Sequence, residues 1–436
     1  MRLRHWGMDA FYGALAVSLA PYAATRVLLD HKTRARWRAY ARDLPERFER
    51  RAPRHSGARC VWIHGVSVGE VKAAAHLIRA MEERVEGLEV VVTVSTDTAR
   101  RVAETRYPGH RIGFYPPDLS WIVRDALDAV RPDLVVLVES EFWPNFLLSA
   151  RERDIPVALV NGHMSERSCR RFVRAGAHAR QVLEALSVVC VQLETYARRF
   201  RTVGVEASRI HVTGNMKLDN IPLPVETPAR EDLRALLRSE GKVPLLVAGS
   251  THPGEERALA RMRRRLGEAG RPFRLLVAPR HPARADVVAA EIEREGFAVR
   301  RRSRLRPGDT VGVDDVFLLD TVGELETAYG EADLVFVGGT LVPHGGQNMM
   351  EPASLGRPVV VGPSLHNFRG EVDLLGRVQG LRIVEDEAAV EAVIRAWLDR
   401  PGEARAQGER AREAIEGGKG ATDATMKVLG PMLDAM

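Results

Sequence analysis

The residues of this chain best suited to moving a proton are glutamates placed just beyond apolar runs. His64-Gly65-Val66-Ser67-Val68-Gly69-Glu70 follows one such run and opens a helical pattern. A glutamate at such a turn can serve as a general base when partial burial raises its pKa. The spacing is equally that of a capping box, with Ser67 as N-cap and Glu70 at the third helical position. Thr321-Val322-Gly323-Glu324 repeats it. Local pattern favours the cap at both places, and His64 reads as a hydrogen-bonded strand-end residue.

Glu139-Ser140-Glu141-Phe142-Trp143-Pro144-Asn145 follows a second apolar run, and packing gives little reason for two carboxylates there. Glu139 as a helix cap with Glu141 solvated is the alternative. Metal ligation lacks a third nearby ligand, and there is no Asp-x-Asp motif, so no metal or cofactor is expected. In the second half, Gly249-Ser250-Thr251-His252-Pro253-Gly254-Glu255-Glu256 runs from strand to helix. Ser250, Thr251 and the turn's amides suit a phosphate, or else an N-cap with acids in the first turn. Arg280 ends another strand. The turns at Gly338-Gly339-Thr340 and Gly345-Gly346-Gln347-Asn348-Met349-Met350-Glu351-Pro352 bring amides close to any ligand, while Glu351 also suits a helix start.

The elements that must hold these residues alternate between strand and helix. Seven candidate strands fall between Arg59 and Thr213 and five between Val243 and Gly362, several of them continuous Val/Ile/Leu runs of the kind found in covered parallel sheets. The spacing predicts helices over Val71–Glu83 and Leu119–Val130. A stretch with Pro222, Pro224 and Pro228 separates the two series. The expected fold is α/β, with two Rossmann-like lobes facing an interlobe cleft and ligands beyond the strands' carboxyl ends. The lobes are placed at residues 55–215 and 243–436, joined by a linker at 216–242.

At 436 residues, 45% apolar and 28% charged, the body has an ordinary globular composition. The net charge of +6 arises between His31 and Arg54, where nine Lys/Arg face three acids. A charge so localised argues against a nucleic-acid-binding body with basic faces throughout and points one segment at something anionic. Ala10 to Thr25 is uncharged and mostly apolar. Residues 1–54 are therefore expected to form a membrane anchor, with 10–29 as a membrane-associated helix, spanning or lying flat, and 31–54 as its basic flank. A cleaved signal peptide is the rival, opposed by the arginines that follow. Cys60, Cys169 and Cys190 lack metal-ligand spacing; Cys60 and Cys190 lie in apolar runs, as reduced core thiols would.

Taken together, the strings resemble the Kdo transferases, which move 3-deoxy-D-manno-octulosonate (Kdo) from CMP-Kdo to a lipid A precursor. The likeness runs in order through the strings above, Thr321–Glu324 apart, and through Met164-Ser165-Glu166-Arg167-Ser168, Thr213-Gly214-Asn215-Met216-Lys217, Pro279-Arg280-His281-Pro282 and Asn367-Phe368-Arg369. It implies a GT-B fold, an inverting metal-independent mechanism, and work at the cytoplasmic face of the inner membrane. It implies Glu70 as the base and a second essential carboxylate at Glu139 or Glu141, Glu139 preferred because it ends the strand. Ser67, Gly69 and Asn145 would meet the phosphorylated, acylated acceptor. CMP would lie in the C-terminal lobe, with Ser250, Thr251, Arg280, Gly339 and Gly346 toward its phosphate and Asn348 and Glu351 toward its ribose. Two departures stand out. Gln347 and His163 occupy positions where the family usually has His and Arg. The rivals are a UDP-sugar 2-epimerase on the same architecture and a non-catalytic, membrane-bound nucleotide-binding protein.

Overall fold

The computed structural model describes Asp9, Arg47 and residues 57–221, 228–238, 243–306 and 309–436. The expected anchor at 10–29 lies outside the described residues, as does the basic flank except Arg47. No helix among the described residues is long and apolar enough to cross a membrane. Arg47 is not aimed at an anionic surface: it is buried, its guanidinium lies 4.1 Å from the Phe114 ring centroid, and it donates to Ser95 O.

The chain forms two compact units, one holding the described residues up to Asn220 together with Gly418–Met436, the other running from Ile221 to Gly417. The first carries seven parallel strands: β1 (Cys60–His64), β2 (Glu89–Val94), β3 (Arg111–Phe114), β4 (Leu134–Val138), β5 (Val157–Gly162), β6 (Val188–Val191) and β7 (Ile210–Val212), ordered β3-β2-β1-β4-β5-β6-β7. β1 and β4 are buried at every position, as strands covered on both faces must be. The order reverses between them, in register from Val61 opposite Leu134 to His64 opposite Leu137. A ligand crevice belongs at that switch point, and both glutamate strings leave the sheet there.

The second unit repeats the plan with β8 (Leu245–Thr251), β9 (Arg274–Pro279), β10 (Val299–Arg301), β11 (Val316–Leu318), β12 (Leu334–Val337), β13 (Val359–Val361) and β14 (Leu381–Ile383), ordered β10-β11-β9-β8-β12-β13-β14. Its switch point lies between β8 and β12. Two three-residue edge strands, β10 and β14, exceed the five expected. Gly338 is required here, because a Cβ would stand 2.5 Å from the Ser250 carbonyl oxygen.

The expected helix over Val71–Glu83 is two helices, Val68–Ala73 and Ala75–Arg84, meeting at Ala74. The lobe placed at 243–436 also differs: the last helix, Ala421–Asp434, belongs to the first unit. Asp219 accepts from the Gly420 and Thr422 amides, and Arg84 pairs with Asp434 at 2.5 Å. All three cysteines are buried and form no disulfide, and burial pushes the Cys190 thiol up to about 12.

Candidate functional site

Ser67 does cap the helix Val68–Ala73: its Oγ accepts from the Glu70 amide at 3.3 Å. The Glu70 carboxylate turns back, accepting from the Val66 amide at 2.6 Å and from Ser67 Oγ at 2.7 Å. Gly65 leaves room for this turn, since a Cβ there would come 3.1 Å from that of Glu70. The serine cap is thus as the local pattern has it, while the carboxylate takes the Val66 amide in place of that of Ser67. The pattern did not describe the surroundings of Glu70. Only 7% of Glu70 is exposed, and it makes no ion pair among the described residues.

Glu139 ends β4 with φ +70, a left-handed conformation that costs a non-glycine residue energy. Its amide stays in the ladder, donating to Val160 O. Lys217 Nζ sits 2.6 Å from Glu139 Oε1, and His163 Nδ1 is 3.7 Å from Oε2. Two residues on, Glu141 accepts from Trp143 Nε1 at 2.7 Å and lies 3.8 Å from His64 Nε2. His64 is buried at its strand end and stacked on Tyr115 at 3.8 Å; its Nδ1 donates to Thr93 O.

Burial and the charge of Glu139 raise the Glu70 carboxyl to about 7, against opposing hydrogen bonds from Ser67 and Val66 and a further push from Glu141. Burial also raises Glu141, aided by Glu139 and opposed by Trp143. His163 is held below its ordinary value by burial, with Glu139 pulling up and Lys217 down. A carboxylate titrating near neutrality beside other acids can accept a proton at physiological pH.

In the second unit Thr251 is buried and donates to Glu256, which also pairs with Arg284 at 2.8 Å. The glycine turn differs from the expectation. Glu255 accepts from the amides of His252, Gly339, Thr340 and Leu341 at 2.8–3.0 Å. An internal carboxylate thus occupies the amides expected at a donor phosphate. The Gly346 amide likewise donates to Gly339 O. Ser250 follows the pattern of Glu139, taking φ +54 at a strand end.

Side chains remain available around this turn. Arg280 is exposed after β9, and its guanidinium makes no hydrogen bond or ion pair among the described residues. His252 lies 3.9 Å from the His344 ring and 3.0 Å from the Gln347 amide nitrogen. That nitrogen can only donate, which makes His252 Nε2 the acceptor and leaves the proton on Nδ1. Burial, then His344, His281, Arg284 and Arg280, push His252 down to about 4. Asn348 donates to Glu351 at 2.9 Å, so this expected pair is together.

Of the expected residues, the first unit brings together Glu70, Ser67, Gly69, Glu139 and Glu141. Gly69 is exposed with Lys217 Cε nearby, a Cβ there lying 3.9 Å from it. Asn145 is a correction: it is wholly buried and spends its amide on Asp118 O and the Asp9 carboxylate, out of an acceptor's reach. Motif reasoning missed Lys217, His163, Glu255, His252 and His344. His163, His252 and His344 lie just beyond a strand end or in a glycine turn, the signal that found the others, whereas Lys217 and Glu255 sit in the first turns of the helices Met216–Asp219 and Glu255–Glu268.

Residues 42–220 match the family model described as 3-Deoxy-D-manno-octulosonic-acid transferase (kdotransferase). A 3-deoxy-D-manno-octulosonic acid transferase of Bordetella pertussis is 34% identical over 410 residues, covering 90% of this chain and 92% of that protein. The one of Haemophilus influenzae is 31% identical over 377 residues, covering 86% and 87%. Among solved structures, a UDP-N-acetylglucosamine 2-epimerase superposes with TM-score 0.55 at 14% identity, covering 86% of this chain and 96% of that one. MurG of Acinetobacter baumannii superposes with TM-score 0.52 at 15% identity, covering 86% and 99%. At such identities these likenesses establish the fold alone, so the epimerase gains no support as an activity. With two switch-point sheets of GT-B type and relatives above 30% identity along most of its length, the chain belongs to the 3-deoxy-D-manno-octulosonic acid transferase family of glycosyltransferases.

Proposed function

We propose that this protein transfers Kdo from CMP-Kdo to a hydroxyl of a phosphorylated, acylated lipid A precursor, inverting the anomeric carbon. The carrying observation is Glu70: buried, without a cationic partner among the described residues, and raised to about 7 beside Glu139 and Glu141. The acceptor hydroxyl loses its proton to Glu70 as its oxygen bonds the anomeric carbon, and the bond to CMP breaks with its electron pair going to the phosphate. A positioned base contributes about 10²–10⁴-fold. Glu139, pinned by Lys217, keeps the Glu70 pKa high, and the two carboxylates add electrostatic support to the positive charge that develops at carbon.

In the second unit, Arg280 supplies charge to the leaving phosphate, and the neutral His252 offers its Nδ1 proton as a donor; Asn348 and Glu351 offer a hydrogen-bonding pair to the ribose. A monoester phosphate leaves with less charge than a diphosphate, so no metal is invoked, and a chelator should leave the rate unchanged. The apolar stretch at 10–29 and its basic flank favour work at the cytoplasmic face of the inner membrane. The test is incubation with CMP-Kdo and acceptor, following CMP release and the lipid product's mass. CMP release without acceptor, or none with it, would overturn the reading.

A further inference from the structure

A pocket of about 500 Å³ in the first unit is lined in part by Glu141. One end is polar, with Glu141 and His163; the wall is apolar, with Phe142, Met164 and Phe172; Arg171 stands on the rim. The wall is built in advance of any ligand. Phe142 packs edge-on against Phe172 at 5.5 Å, Ser140 Oγ donates to His163 O at 2.6 Å, and Arg199 donates to Met164 O at 2.7 Å. These bonds tie the loop after β4 to the loop after β5 and both to the helices behind them.

The rim is the helix Glu166–Ala175, capped by Ser165. Arg167, Arg171 and Arg174 recur at i, i+4 and i+7, which places them on one stripe. All three are exposed, and none makes an ion pair among the described residues, whereas Arg170 is paired with Glu166. Three uncompensated guanidiniums repel one another unless an anion comes between them. The combination of a basic rim, an internally packed apolar wall and a polar end at Glu141 and His163 fits one ligand chemistry: a phosphate monoester carried on an amphiphile.

We propose that this pocket is the acceptor's docking subsite, with Arg171 reading a phosphate of the acceptor and Phe142, Met164 and Phe172 taking the hydrocarbon next to it. The proposal rests on the functional reading above and adds to it the residues that select the acceptor. Arg171 is a specificity residue, and the chemistry stays with Glu70. The same arginines could meet anionic headgroups of a bilayer instead, and the assay must separate the two.

The full chain is assayed in neutral detergent micelles with CMP-Kdo and acceptor, comparing wild type with Arg171→Ala, Arg171→Lys and Phe172→Ser. Arg171→Ala should raise KM for the acceptor about tenfold or more while kcat and KM for CMP-Kdo hold, since a charge-assisted phosphate contact is lost. Arg171→Lys should recover part of it, and wild type should prefer the phosphorylated acceptor over its dephosphorylated form more strongly than Arg171→Ala does. Phe172→Ser should weaken both acceptors alike. Acceptor KM values within twofold of wild type in both Arg171→Ala and Phe172→Ser would overturn the proposal, as would an Arg171→Ala defect seen only with anionic vesicles. Should wild type fail to turn over at all, the functional reading falls first. Calorimetric binding of the phosphorylated acceptor to wild type and Arg171→Ala then still decides the pocket, equal affinities overturning it.

Discussion

The strings Ser67-Val68-Gly69-Glu70 and Thr321-Val322-Gly323-Glu324 are nearly the same, and each follows a strand, yet the two units use them differently. In the first, serine caps a helix and the glutamate occupies its first turn. In the second, Gly323 takes φ +89 and Glu324 itself becomes the N-cap of the helix Leu325–Glu331. The two glutamates are equally buried, 7% and 8% exposed. What separates them is company. Glu324 receives Arg302 Nε at 3.0 Å and Nη2 at 2.8 Å, while Glu70 has two other carboxylates nearby and, among the described residues, hydrogen bonds only from its own turn. A buried acid beside an arginine forms an ion pair; a buried acid beside other acids has its carboxyl raised toward neutrality, which suits it to exchange a proton.

The largest effect that can break this contrast is on turnover. Glu70→Gln should lower kcat by about 10²–10⁴ with CMP binding retained, whereas Glu324→Gln should change kcat less than about twofold. Equal losses in the two variants, by CMP release, would mean that Glu70 is only a cap.

The second prediction concerns stability. Arg302→Ala leaves Glu324 buried and unpaired, which should cost about 3 kcal/mol of unfolding free energy in denaturant titration. Replacing both partners with methionine should recover most of it. If Arg302→Ala unfolds as wild type does, the pair contributes nothing and the proposed division between the two strings loses its physical basis.

The comparison also shows how far the residue string could carry. The alternation of Val-rich runs and glycine turns sufficed for two parallel sheets, because strands covered on both faces must be apolar throughout. It failed at β10, whose Val299-Arg300-Arg301 has no apolar run to see: Arg301 is drawn instead to Asp286 and Asp320, at 2.5 and 3.0 Å. The glutamate strings were visible at their strand ends, but the two uses of one motif were not, since Arg302 lies more than twenty residues before Glu324. Lys217 reaches Glu139 over a still longer separation. The Glu255 clamp was hidden for another reason. A carboxylate filling amides looks, as sequence, like acids in a helix's first turn. The resemblance to a family supplied the role of Glu70; no spacing could, because base and cap share the same letters.

The third prediction is pH dependence. Glu70 accepts a proton only when ionised, so kcat/KM should rise with pH and level off above about 7, the value to which burial and Glu139 hold its carboxyl. Removing the Glu139 charge by Glu139→Gln removes a cause that raises Glu70. The rising limb of the residual activity should then move to lower pH. A limb that stays in place would assign it to another group. Glu324→Gln, without influence on Glu70, should leave the limb where it is.

The smallest effect tests the residues between. Val68 packs against the core of the first unit, while Val322 is 86% exposed. Val68→Ser should therefore cost about 1 kcal/mol in unfolding free energy, through lost apolar burial at the foot of the capped helix. Val322→Ser should stay within about 0.5 kcal/mol of wild type. The turn in the second unit has no helix to hold down at that position, so its valine has nothing to pack against. In the first unit the same valine belongs to the helix start that fixes Glu70. A loss at Val322 matching that at Val68 would show that the second turn is packed as a cap too, and the contrast would then rest on Arg302 alone.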